Sequence, residues 1–304
     1  MIKIDAFAHI YTQEYAKRLK TIAPEAAKSV EFMKRPMIDM EVREKLMQRH
    51  PDVLQIVTMG NTPLELFVSE KDSIELSRIG NEEMAQLVSD NPHLFYGSVG
   101  TVPIGDTDAS LKEIDYCINS LRLLGIQLFA TIERESFAEP KYRPIFKMMS
   151  DCDRPIWIHP SSNAPDRGMF SWPYVSSRFM LDIVNAGIFE EYPNLKIIIH
   201  HAGAMVPYFQ ERVRTIMPKH TEKYFKNYYT DTALYGNTAG LMCAYEYFGV
   251  NHLMFGTDAP MGAPHASNGF TDRTITAIER MNISEEDKER IFQGNAIDMF
   301  GILV

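Results

Sequence analysis

No stretch of this 304-residue chain stays apolar for the roughly 20 residues that a membrane-spanning helix needs. The opening Met1-Ile2-Lys3-Ile4-Asp5 starts no long apolar run, so no secretory signal is expected and the cytoplasm is the expected compartment. Cysteine is scarce. Cys117, Cys152 and Cys243 are odd in number, far apart and without a C-x-x-C pair, which argues against a disulfide framework or a thiolate zinc site and for buried, reduced thiols. Basic charge is in deficit: 31 Lys and Arg against 40 Asp and Glu leave a net charge of −9. A nucleic-acid partner would need a basic face, and an anionic membrane is disfavoured for the same reason. A small anionic substrate stays open, because one local arginine or metal overrides a diffuse surface charge. Repeats, low-complexity tracts and linkers are missing too, so one domain over residues 1–304 is expected.

What is present is a regular alternation. The chain is 45% hydrophobic and 23% charged, enough for a sizeable core. Short apolar, β-branched runs bounded by Gly or Pro suit strands buried on both faces. They fall at residues 2–9, 53–59, 94–102, 125–129, 155–159, a sixth run ending at His201, 228–234 and 253–257. Helical patterns lie between them at 12–20, 40–49, 61–90, 108–123, 142–152, 177–192, 208–217 and 238–248. Eight strands alternating with helices is the count of an α/β fold of the (β/α)8 TIM-barrel type. Residues 271–304 read as a helical C-terminal extension, with a capping box at Ser284-Glu285-Glu286-Asp287. The irregular stretch 161–172 follows the fifth strand and is expected to be a lid or substrate loop.

Three strands end on groups that bind a metal or move a proton: Ile158-His159-Pro160, Ile199-His200-His201-Ala202-Gly203 and Gly256-Thr257-Asp258. On the first strand, alternation puts Asp5, Phe7 and His9 on one face and Ile4, Ala6 and Ala8 on the other. With the first face inward, His9 reaches the C-terminal rim, where barrel active sites lie. His9, His159 and Asp258 together make a site for Zn²⁺ or another first-row divalent ion, although each histidine alone reads as a hydrogen-bonded structural residue. His200 and His201 are adjacent and face opposite ways on a regular strand. His201, beside the glycine turn, is expected to enter the barrel, and His200 to pack between strand and helix. Arg167, Trp172 and His265 fall in or near the loops after strands five and eight; the Arg167 fork suits a carboxylate, and its alternative is a solvated loop residue. Asp231 suits a supporting hydrogen bond better than ligation.

The motifs Ile4-Asp5-Ala6-Phe7-Ala8-His9, Trp157-Ile158-His159-Pro160, His201-Ala202-Gly203-Ala204-Met205-Val206-Pro207-Tyr208-Phe209 and Phe255-Gly256-Thr257-Asp258 resemble the amidohydrolase superfamily. More narrowly they resemble its branch of aminocarboxymuconate-semialdehyde and γ-resorcylate-type decarboxylases, from the first strand to Gly294-Asn295-Ala296. The resemblance implies one divalent metal held by His9, His159 and Asp258, zinc first and manganese second, with His201 and Asp258 as the catalytic pair. It implies non-oxidative decarboxylation of a small aromatic or unsaturated carboxylic acid in a homodimer. Phe7, Arg167 and Trp172 are the expected substrate contacts, the last two from their place in the loop after strand five. The alternatives are hydrolysis of a lactone, amide or ester, and a barrel that has lost catalysis. Phe7 departs from the family pattern, because it stands where the first ligand of a strand-one pair would be; a metal-free site is the corresponding alternative.

Overall fold

Eight parallel strands lie side by side in chain order: β1 (Lys3–Ile10), β2 (Val53–Met59), β3 (Phe95–Thr101), β4 (Ile126–Phe129), β5 (Ile156–His159), β6 (Ile197–Ile199), β7 (Tyr229–Asp231) and β8 (Leu253–Met254). The structure is a computed structural model that describes residues 1–27, 35–60, 63–131, 135–160, 169–261 and 269–301. The chain after β8 returns to β1: Ala6 N donates to Phe255 O at 2.8 Å, Asp258 N to Phe7 O at 2.8 Å and His9 N to Ala259 O at 2.7 Å. The ring is nearly closed, as the strand count predicts. Helices cover its outside, among them Gln13–Ile22, Glu70–Asp90, Arg143–Asp151, Ser171–Asn185 and Thr238–Phe248. Among the described residues no helix is long and apolar enough to cross a membrane, and all three cysteines are free.

Two apolar layers account for the burial. Ile126, Ile156, Ile158, Ile197, Ile199 and Leu253 pack outward against the helices. Ile4, Ala6, Ile56, Val99, Trp157, Ile198 and Met254 fill the barrel, closed from below by Met299 and Phe300, whose ring stacks on Trp157. The Trp157 indole donates across the barrel to the Ala6 carbonyl at 3.0 Å, so this buried polar edge is satisfied.

The first strand departs from simple alternation. Asp5 pairs with Gln55 but Ala8 pairs with Val57, so β1 carries one residue more than β2 between those points. Such a bulge re-aims side chains next to sites. Here Ile4 and Ala6 belong to the barrel filling, and Phe7 and His9 nevertheless face the interior above it. Alternation alone would have sent Ala6 outward.

Other boundaries shift for local reasons. The helical stretch expected from residue 61 starts at Glu70, because the Ser69 side chain caps it by accepting from Asp72 N at 3.2 Å. Leu64–Leu66 forms only a short 3₁₀ turn after Pro63. The C-terminal extension is two pieces rather than one: Gly269–Glu279, and a continuous helix from Glu285 to Phe300 whose middle turn, Arg290–Gly294, is π-helical. The second piece starts at Ser284, whose hydroxyl accepts from Asp287 N at 3.0 Å. β6 stops at Ile199, two residues before His201.

Candidate active site at the mouth of the barrel

His9 is fully buried, with Nδ1 2.9 Å from Thr58 Oγ1 and Nε2 3.0 Å from Asp258 Oδ1. The Thr58 hydroxyl also approaches the Ala8 carbonyl at 3.5 Å. With the Thr58 hydrogen directed there, Thr58 accepts from His9 Nδ1–H, and His9 Nε2 is left a lone pair facing a carboxylate. Two such groups share that spacing only with a proton or a cation between them. His159 Nδ1 lies 2.8 Å from the Pro160 carbonyl, which only accepts, so the Nε2 of this ring is also a lone pair when neutral. Burial, reinforced by His9 and His200, holds His159 far below its ordinary range and therefore neutral. The His9 and His159 rings are 5.1 Å apart.

Asp258 sits in left-handed backbone with φ of 63°. Its Oδ2 is 3.8 Å from His201 Nε2, an ion-pair separation rather than a hydrogen bond. Burial opposes ionisation of Asp258, but His201 and His9 outweigh it and hold the carboxyl well below the usual carboxylate range. For His201 the balance runs the other way. Burial pushes it down, and the Asp258 carboxylate outweighs that and raises it.

The paired histidines correct the expectation drawn from alternation. Ile198 fills the barrel, so His200, two residues on, faces inward as well. Its ring stacks face to face on Phe7, with centroids 3.4 Å apart and planes at 15°, so it is not a packing residue between strand and helix. His201 escapes the opposite face because the strand has already ended: the chain turns through positive φ at His201 (60°), Ala202 (55°) and Gly203 (74°). Left-handed backbone costs a non-glycine residue about 1–2 kcal/mol, and the Asp231 carboxylate offsets it. Asp231 Oδ1 accepts from His201 N at 2.9 Å and Ala233 N at 2.9 Å, and Oδ2 lies 2.6 Å from His200 Nδ1. Asp231 thus has the supporting place expected of it, with His200 as its partner.

Phe7 is fully buried at the centre of this group, 4.7 Å from the His9 ring, 5.9 Å from His159 and 6.0 Å from His201. Gly256 makes room for it, since a Cβ there would come within 3.2 Å of Phe7 Cβ and 2.8 Å of Asp231 Cβ. Trp172 lies in the first turn of the helix Ser171–Asn185 and is 46% exposed. Arg167 and His265 lie outside the described residues, as does most of the loop expected at 161–172.

Several site residues had no clear signature in the sequence. Thr58 is one, an ordinary β2 residue until His9 is placed beside it. Behind β1, the buried Asp5 accepts from Thr257 Oγ1 at 2.6 Å and Gln55 Nε2 at 3.2 Å, and burial raises its pKa to about 6. Arg43 donates to the His9 carbonyl at 2.8 Å and to Gln55 Oε1 at 2.9 Å, tying the helix Met40–Met47 to the strand that carries His9.

As the side chains stand, no three His, Cys, Asp or Glu groups among the described residues converge closely enough to enclose an ion. The donor chemistry nevertheless fits one. Imidazole lone pairs and a carboxylate suit a first-row divalent cation, and the second nitrogens of His9 and His159 are engaged as those of ligating histidines are.

The amidohydrolase family profile matches residues 4–302. The chain belongs to the amidohydrolase family. It lies in the branch of that family that holds the decarboxylases. It is 32% identical over 247 residues to the 6-methylsalicylic acid decarboxylase of Penicillium expansum, covering 74% of each chain. It is 25% identical over 285 residues to the γ-resorcylate decarboxylase of Rhizobium radiobacter, covering 83% of this chain and 86% of that one. Among solved structures it shares the fold of a dihydroxybenzoic acid decarboxylase from Polaromonas sp. JS666, with bound manganese and 2-nitroresorcinol. The TM-score is 0.81 at 21% identity, over 99% of this chain and 97% of the other.

Proposed function

We propose that this amidohydrolase-family chain is a non-oxidative decarboxylase of a small aromatic carboxylic acid, a 2-hydroxybenzoate in the first instance. One observation of the site carries the mechanism: an imidazole whose proton is stabilised, His201, stands beside a carboxylate kept ionised, Asp258. The reaction consumes one proton. It adds to the ring carbon that bears the carboxylate, the bond to the carboxyl carbon breaks, its electrons restore the aromatic ring, and CO₂ leaves. His201 supplies that proton, and Asp258 provides its counter-charge and the means of replacing it. The ortho hydroxyl of a salicylate-type acid donates electron density to the same carbon, which suits the substrates named for the relatives.

A divalent ion held by His9, His159 and Asp258 would act as a Lewis acid that anchors the carboxylate and its neighbouring oxygen. Zinc and manganese both suit this donor set, and the Polaromonas enzyme carries manganese. The Pro160 carbonyl holds the His159 tautomer, and Thr58, accepting from Nδ1–H, would hold that of His9. Phe7 gives the site an apolar wall, and Arg167 and Trp172 are the proposed contacts to the outer part of the acid. We propose a homodimer as well: Phe170, Tyr208 and Ile216 are 78%, 79% and 68% exposed, apolar side chains for a second copy to cover, and light scattering would detect the doubled mass.

The test is a panel of 2-hydroxybenzoic acids incubated with the purified protein and Zn²⁺ or Mn²⁺, read by CO₂ release and product mass. One CO₂ per acid consumed is expected. Ring opening of lactones without CO₂ would make the chain a hydrolase instead, and no turnover of either class would overturn the reading.

A further inference from the structure

His200, at the barrel mouth, has one ring nitrogen that is fully buried and unpartnered among the described residues. Its Nδ1 faces Asp231 Oδ2 at 2.6 Å, and a carboxylate only accepts, so the ring carries its proton on Nδ1. Its Nε2 is buried and has no hydrogen-bond partner among the described residues. A buried acceptor left unmade is costly, and it persists in native folds where something not yet counted fills it. The residue is fully buried, and the Phe7 ring stacks on its face rather than on the edge that carries Nε2.

The surroundings say what fills it. A ligating histidine typically gives its second nitrogen to a carboxylate, which fixes the tautomer and raises the basicity of the first. The His200–Asp231 pair has that form. With metal–nitrogen bonds of about 2.0–2.1 Å, two imidazoles on one ion place their ring centroids roughly 4.5–6.3 Å apart. His9 to His159 is 5.1 Å and His159 to His200 is 6.0 Å. Phe7, stacked on His200, has no donor atom to offer in the same space.

We propose that His200, through Nε2, is a ligand of the divalent ion at the barrel mouth, in place of the donor that Phe7 cannot supply. The inference rests on the reading that His9, His159 and Asp258 hold such an ion. Asp231 is then a positioning residue, holding the His200 ring with Oδ2 and the turn that follows with Oδ1.

The test strips the full-length protein with a chelator and reloads it with Zn²⁺, for affinity, and Co²⁺, for its absorption spectrum. Wild type is compared with His200→Gln, Asp231→Asn and His159→Ala. Asp231→Asn keeps an oxygen for the backbone amides and is expected to weaken Zn²⁺ binding about 10- to 100-fold, as loss of a supporting group does. His200→Gln should weaken it further and alter the Co²⁺ spectrum. If His159→Ala loses the ion while His200→Gln keeps wild-type affinity and spectrum, the His200 assignment falls and the metal reading stands. If wild type binds neither ion, both fall. Should His200→Gln fail to fold, anomalous scattering from wild-type crystals grown with Zn²⁺ decides: an ion bonded to His200 Nε2 is expected, and one bonded only to other side chains overturns the assignment.

Discussion

β5 and β6 are neighbours, both end in histidine, and deliver it in different ways. β5 is regular to its last residue. Trp157 and His159 alternate onto the same inner face, and His159 needs only the next carbonyl, that of Pro160, to fix its tautomer. β6 ends at Ile199, and the turn after it brings two consecutive histidines to one mouth. That arrangement requires left-handed backbone at His201 and Ala202 and the Asp231 carboxylate beneath it. A strand end offers one inward residue; a strained turn offers two. Strain of this kind gathers at functional sites because the surrounding structure has to enforce it.

Four substitutions break or sharpen that contrast. The largest effect is expected where the β6 turn places its proton donor: His201→Ala should lower the rate of CO₂ release by about 10²–10⁴-fold, the usual contribution of a positioned acid, with the fold intact by circular dichroism. Next is Phe7→Ala, which removes the ring packed among all four imidazoles and should destabilise the protein by about 3–5 kcal/mol in urea unfolding. A smaller loss would show that the β5 and β6 ends hold their places without it. Thr58→Val removes the partner of His9 Nδ1 and should weaken metal binding or activity about 10- to 100-fold, seen by metal titration. Smallest is Ala202→Gly, which suits the positive φ and should raise stability by about 1 kcal/mol in the same unfolding assay. No comparable gain is expected from any glycine placed in β5.

The barrel and most of its rim were legible in the sequence because they rest on period-two burial and on strand ends. Trp157 and His159 obey that rule and share the inner face of β5. The bulge in β1 was not legible: nothing in Asp5-Ala6-Phe7-Ala8 shows that the register against β2 slips by one residue. His200 departs from the expectation for the same kind of reason: alternation counted from His201 assumes a strand that reaches it, and β6 stops at Ile199. The glycine at 203 signalled a turn, but the turn begins earlier, where Asp231, thirty residues on in sequence, accepts the His201 amide. Thr58 and Arg43 act only through tertiary contacts to His9, which no local pattern encodes.

The central claim is that groups on the β6 turn and after β8 protonate a ring carbon as CO₂ departs. It is tested most directly by turning over a 2-hydroxybenzoic acid in D₂O with the metal-loaded protein and examining the product by mass spectrometry and NMR. The account predicts one deuterium per product molecule, on the carbon that lost the carboxyl group, with one CO₂ released. A product that keeps its carboxyl carbon, or deuterium at other ring positions without CO₂, would contradict it.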